Sequence, residues 1–340
     1  MATGTMSIPA TAASQEDFAT MALIQLTLTS VKDGRLLDVK DGARNDGAAI
    51  VVNKAPGSAQ SWRINTGANP ALGFTIVNDT TGKCLDAPRL YQQLQQQPCD
   101  GRASEKWYFQ PVTGSGQKAF MIRHEADNSC LSPQTPDHSD NGVYTDECSG
   151  TPLQQWTIPA DVYTKALSTA VDYAAARCTK DTSTCSWSTT TQQRPVLLPQ
   201  VCVSPVWYND TSDTIPWTFT LTTSTGWTNT VGFKLSASLQ LGSDALPIKV
   251  MVAGEVHGET SLNLKEDLGN SLTVSVQARK YGWVALSELA TQVTGTWTFD
   301  TQGFAWTIED TITVPLKHDS NGGASVYHAK TRPEFTNCAA

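Results

Sequence analysis

The chain is poor in charge. Only 16% of its 340 residues are Asp, Glu, Lys or Arg, and the balance is −8. A nucleic-acid partner would call for a basic face, so none is expected. No run of 18 apolar residues occurs, which excludes a transmembrane helix by hydropathy. An alternating strand pair would escape that test. Residues 1–23 lack a basic stretch followed by an apolar one, so they do not read as a signal peptide. Residues 1–21 are taken as a flexible N-terminal segment. No C-x-x-C pair is present and no histidine sits at metal spacing beside a cysteine, so neither metal nor cofactor is expected. His124, His138, His257, His318 and His328 lie in no G-x-S-x-G or H-E-x-x-H setting. Neighbouring carboxylates such as Glu266–Asp267 and Glu309–Asp310 would face opposite ways on a strand. No catalytic site emerges, and the chain reads as a non-enzyme.

What is abundant is Ser, Thr, Gln and Gly, the composition of an all-β surface protein. Eight cysteines, Cys84, Cys99, Cys130, Cys148, Cys178, Cys185, Cys202 and Cys338, form an even set that reads as disulfides made in an oxidising compartment. Three segments end alike: AQSWRI at 59–64, SEKWYF at 104–109 and LQQWTI at 153–158. Each places Gln or Glu two residues before a tryptophan, as Gln60–Trp62, Glu105–Trp107 and Gln154–Trp156. Each unit also opens alike, with GRLLDV, GKCLDA and NSCLSP carrying Asp38, Asp86 and Ser132. A fixed period of this size marks a repeat architecture.

These motifs over residues 22–160 resemble the ricin B-type β-trefoil. The resemblance implies a carbohydrate-binding domain with up to three shallow sugar sites, tryptophans in its core, and disulfides within repeats two and three. In such a site an early Asp binds hydroxyls, an aromatic ring supports the sugar face, and an Asn or Gln lies nearby. Asp38 and Asp86 match the early Asp, whereas Ser132 does not. The platform position, counted back from the second cysteine, holds Asn53, Gln97 and Asp146, none of them aromatic. Tyr91 and Tyr144 are near but out of that register. The carbohydrate-binding candidates are therefore Asp38, Asn53, Asp86 and Gln97, on a trefoil whose sites look eroded.

Residues 160–177 repeat Val162, Ala166, Leu167, Ala170, Val171 and Ala174 at helical spacing, which predicts one linker helix over 161–177 ending at Arg177. Cys178, Cys185, Cys202 and Cys338 then allow three pairings, and the sequence does not choose among them. A bridge to Cys338 would tether the tail.

From residue 178 to 340 alternation dominates, as in Trp217, Phe219 and Leu221 against Thr218, Thr220 and Thr222. The clearest case is a predicted hairpin at about 229–267. Val231, Phe233, Leu235, Leu239 and Leu241 share one face of its first arm, and Ile248, Val250 and Val252 continue that face on the return arm. The other face carries Lys234, Ser236, Ser238, Gln240, Lys249, Glu255, His257 and Glu259. Its tip holds Leu246 and Pro247 where a soluble hairpin would favour Asn-Gly. Each arm has about 11 clean residues, enough to cross a bilayer at about 45° tilt.

Asn209–Thr211, TSTGWTNTVGF, LPI and Gly254–Glu255 follow one another in an order that resembles the aerolysin and epsilon-toxin class of β-pore-forming toxins. Fungal pore-forming lectins share this order of domains. The resemblance implies an all-β chain, a β-trefoil followed by an elongated aerolysin-like antiparallel module. It also implies secretion as a soluble monomer or dimer, capture on cell-surface glycans or glycolipids, assembly into a heptamer-like homo-oligomeric ring, and insertion into the target-cell lipid bilayer. The apolar hairpin residues would then face lipid and the polar ones the pore. The competing expectation is a non-lytic lectin with an oligomerising β scaffold.

Overall fold

A computed structural model describes residues 24–57, 59–67, 72–113, 118–133, 141–192, 195–221, 251–252, 255, 271–315 and 325–338. The chain divides into two compact units, Met1–Tyr173 and Ala174–Ala340. As the composition predicts, the described residues are nearly all-β, with one long helix.

The first unit opens with β1 (Ile24–Leu26), β2 (Thr29–Ser30), β3 (Leu36–Val39), β4 (Ile50–Asn53), β5 (Trp62–Thr66) and β6 (Phe74–Asn78). It continues with β7 (Cys84–Asp86), β8 (Gln95–Gln97), β9 (Trp107–Pro111), β10 (Ala119–His124), β11 (Cys130–Pro133), β12 (Val143–Asp146) and β13 (Gln155–Thr157). Antiparallel pairing runs from β1 through β5, β6, β9, β10 and β13 to β2. Because β1 and β2 are successive pieces of one stretch, that path closes into a barrel and leaves no open edge. Three hairpins, β3–β4, β7–β8 and β11–β12, complete the trefoil. The bridges Ala49–Gln95, Val51–Gly142 and Gln93–Tyr144 link each hairpin to the next.

The repeats seen in the sequence are exact enough to recur as hydrogen bonds. Trp62, Trp107 and Trp156 are fully buried. Their indole N–H groups donate to the carbonyls of Leu37, Leu85 and Leu131 at 3.0, 3.1 and 3.1 Å. Burying a large indole contributes several kcal/mol only if its N–H finds an acceptor, and here each repeat supplies the same one. The residue two before each tryptophan braces the preceding loop. Gln60 donates to the Ala55 carbonyl, Glu105 accepts from the Asp100 and Gly101 amides, and Gln154 both accepts from Ser149 and donates to Glu147. Disulfides Cys84–Cys99 and Cys130–Cys148 close repeats two and three, as the resemblance implies.

Helix α1 spans Tyr163–Lys180, so it runs past the expected end at Arg177. The reason is covalent and apolar: Cys178 lies on the helix, buried, and bonds Cys185. Within the first unit, Tyr173 stacks on Tyr108 at 4.2 Å and Tyr163 meets Phe120 at 5.1 Å. Those contacts dock the helix start on the trefoil.

The second unit contains β14 (Cys185–Gln192), β15 (Val196–Leu197), β16 (Val201–Cys202), β17 (Trp207–Tyr208), β18 (Ile215–Thr220), β19 (Ser271–Val276), β20 (Tyr281–Phe299), β21 (Trp306–Pro315) and β22 (Ser325–Arg332). Strand β20 is 19 residues long. Strands β14 to β17 pair along it in succession, and β21 and β22 pair with its two halves. Strands β18 and β19 form a separate two-stranded sheet. Its apolar side joins β20 in a core of Val203, Phe219, Leu221, Val274, Val276, Val284 and Leu286. Gly282 permits this close approach, since a Cβ there would meet Val276 at 2.4 Å. The four remaining cysteines pair as Cys178–Cys185 and Cys202–Cys338. Phe335 packs edge-on against buried Trp283 at 5.1 Å, so the tail is tethered over β20.

One alternating residue departs from expectation. Trp217 shares the parity of Phe219 and Leu221 but is 41% exposed. It stacks on Trp207 at 4.2 Å instead of entering the core.

Candidate functional site

The register of the three hairpins places the candidate residues. Asp38 lies opposite Val51, Asp86 opposite Gln95, and Ser132 opposite Tyr144. Residues directly opposite share a sheet face. Asn53, Gln97 and Asp146 instead face Leu36, Cys84 and Cys130, two residues along. They lie on the same face as Asp38, Asp86 and Ser132, as diagonal and not direct neighbours. Tyr144 is in register with the third repeat's Ser132, and Asn53 and Gln97 are out of register with the acids.

The two acids serve the fold. Asp38 is 5% exposed, and its Oδ2 accepts from Gln60 Nε2 at 2.9 Å. Gly57 closes over it so tightly that a Cβ would lie 2.8 Å from the same oxygen. Asp86 is 2% exposed. It accepts from Ser104 Oγ at 2.7 Å and from Gln95 Nε2 at 3.4 Å, with an Arg102 guanidinium nitrogen at 3.9 Å. Asn53 is exposed, and its Oδ1 caps the Ala55 amide at 3.1 Å. Gln97 is half-buried. The structure thus does not gather the four candidates at one exposed surface.

An aromatic and acidic group does gather between repeats two and three. Tyr91 is 58% exposed, with its amide bonded to the Thr145 carbonyl at 2.9 Å. Its phenol lies beside Glu147 and Asp146. Partial desolvation first, then the Glu147 and Asp146 carboxylates, hold that phenol above its ordinary range. Among the described residues no group of three or more His, Cys, Asp or Glu could hold a metal ion.

In the second unit, Val231, Phe233, Leu235, Leu239, Leu241, Leu246, Pro247, Ile248 and Val250 lie outside the described residues, as do Lys234, Ser236, Ser238, Gln240, Lys249, His257 and Glu259. Met251, Val252 and Glu255 are described and are helical, which corrects the return strand expected there. Val252 is 1% exposed, and Glu255 accepts from the Thr189 amide at 2.7 Å. Burial of one apolar residue and one tie to a strand amide account for a local conformation that alternation alone does not foretell. The two ends that bracket this stretch are neighbours, because Thr220 pairs with Ser271.

The ricin-type β-trefoil lectin domain matches residues 25–156, and again residues 72–194. The two matches are offset by one repeat, as an internal threefold allows. The chain belongs to the ricin-type β-trefoil lectin family. No curated protein matches it. Among solved structures, the Rhizoctonia solani agglutinin is 18% identical, with 46% of this chain and 98% of that one covered and a TM-score of 0.34. The C-half of an earthworm R-type lectin in complex with GalNAc is 18% identical, covering 39% and 96%, TM-score 0.31. The Haemophilus ducreyi cytolethal distending toxin is 21% identical, covering 39% and 81%, TM-score 0.33.

For this ricin-type lectin, family membership brings carbohydrate binding with it. The three repeats are nevertheless chemically unlike: two keep an acid without an aromatic opposite, and the third keeps the aromatic without the acid.

Proposed function

We propose that this protein is a glycan-targeted β-pore-forming lectin. The trefoil holds it on cell-surface carbohydrate, copies assemble into a ring, and each copy contributes the segment around 229–267 to a barrel. The observation that carries this reading is the pairing of Thr220 with Ser271. Two arms that start side by side, already antiparallel, can extend the β18–β19 ladder into one hairpin without reorganising its base. The alternation of the segment itself, Leu239 against Ser238 and Val250 against Lys249, supplies one face for lipid and one for water.

Assembly must precede insertion. A lone hairpin would bring unpaired N–H and C=O groups into hydrocarbon, and only a closed barrel leaves none. Capture on glycans raises local concentration and favours the ring. Burial of Val252 fits a stored form in which part of the apolar face is hidden before release. Four disulfides fit secretion.

The test is direct. Glycolipid-bearing vesicles mixed with the protein are imaged by negative stain and assayed for dye release. Rings with leakage support the pore. Surface binding without rings or leakage would reduce the protein to a non-lytic lectin.

A further inference from the structure

The trefoil's own symmetry marks one residue as anomalous. In repeat one, the Gly47 amide donates to the Gln96 carbonyl at 2.9 Å, and Ala49 bridges Gln95. In repeat two, the Tyr91 amide donates to the Thr145 carbonyl at 2.9 Å, and Gln93 bridges Tyr144. Gly47 and Tyr91 therefore hold the same place, where one repeat reaches across to the next. Both are left-handed, with φ of 76° and 63°.

Glycine takes that conformation without cost, whereas a bulky aromatic residue does not. Packing does not compensate for the strain, because Tyr91 is 58% exposed. Strain of this kind persists at a site that uses the side chain. The residue is held beside the third repeat's acids, since its amide bonds the Thr145 carbonyl that directly precedes Asp146 and Glu147. Asp146 and Glu147 are themselves tied together by the Glu147 amide donating to Asp146 Oδ1 at 2.8 Å.

We infer that Tyr91, Asp146 and Glu147 form a binding site for a neutral pyranose between repeats two and three. An exposed ring offers its face to the C–H side of a sugar, and carboxylates accept from adjacent hydroxyls. The same two negative charges disfavour a sialylated or otherwise anionic sugar. This site lies apart from Asp38 and Asp86, which are buried and bonded within their own repeats. The inference rests on the lectin reading and names its site and ligand class.

The test uses the full chain on an array of neutral and sialylated glycans, with titration of the strongest ligand. Tyr91→Gly places in repeat two the residue that repeat one already has, so the fold should hold and the thermal midpoint should not fall. Affinity for the neutral ligand is expected to drop by about tenfold or more. Glu147→Gln should weaken neutral binding by a smaller factor and lessen discrimination against sialylated glycans. Undiminished binding by a folded Tyr91→Gly protein would overturn this site, and with wild-type binding intact it would leave the lectin reading standing. A wild-type chain that bound no glycan would remove both.

Discussion

The two units are built from different ranges of contact. In the trefoil, the disulfides span 15 and 18 residues, each tryptophan bonds a carbonyl of its own repeat, and each hairpin pairs locally. In the second unit, one disulfide spans 136 residues, and a single strand, β20, pairs with six others. Repetition lets one repeat drift while the others hold the fold. That explains how Ser132 and Tyr91 can differ from their counterparts within an intact barrel. A unit hung on one strand has no such redundancy. Its two-stranded sheet, β18 with β19, is held to β20 by one small core that includes Phe219, Leu221 and Val276.

The largest break in this comparison should come from the long disulfide. Replacing Cys202 and Cys338 by Ala should destabilise the second unit by about 5 kcal/mol from loop-closure entropy, against about 3 kcal/mol for Cys84 and Cys99 in the trefoil. Calorimetry should show the two transitions moving separately. A single merged transition for both variants would contradict independent units.

Next in size is Trp107→Ala. It removes a fully buried indole and its bond to Leu85, and should lower the trefoil transition by about 3–5 kcal/mol while the second transition stays in place.

Smaller still is Asp38→Ala. Gln60 would lose one of its two acceptors, so urea denaturation should report a loss of about 1–2 kcal/mol. An unchanged stability would mean that Asp38 is kept for sugar and not for the fold.

The smallest effect concerns pH. Burial opposes ionisation of Asp127, but hydrogen bonds from Ser129 and the neighbouring His124 outweigh it and hold this carboxyl below its usual value. Its contribution is therefore present above the unfolded carboxylate pKa and lost as pH falls through the lower folded value. Asp127→Asn should flatten that acid limb of the trefoil's stability profile, and an unaltered limb would contradict the assignment.

Much of this architecture was legible in the sequence, for reasons that differ by residue. Trp62, Trp107 and Trp156 announce themselves because a buried indole has few substitutes, and paired cysteines because a bridge fixes spacing. The all-β character of residues 178–340 follows from alternation. Hairpin register was not legible, since loop lengths between β3 and β4, β7 and β8, and β11 and β12 differ, and Tyr144 is recognised as the partner of Ser132 only from the ladder. Nor was the left-handed backbone of Tyr91, whose amide bonds the Thr145 carbonyl of the next repeat. Trp217 follows the pattern of a core residue yet finds its partner in Trp207 at the surface. Glu255 has the polarity of a pore-lining residue, and in this structure it is bonded to a β14 amide.

In the proposed pore, residues around 229–267 present one face to lipid and the other to water. The most direct measurement compares dye release from glycolipid vesicles by Leu239→Arg and Ser238→Arg, with surface binding followed in parallel. Leu239→Arg puts a charge on the lipid side, costing about 2–4 kcal/mol per chain near mid-bilayer, repeated around the ring. It should bind and not leak. Ser238→Arg should still leak, through a pore whose ion selectivity shifts toward anions. Equal leakage by the two variants would contradict two distinct faces, and with them the pore.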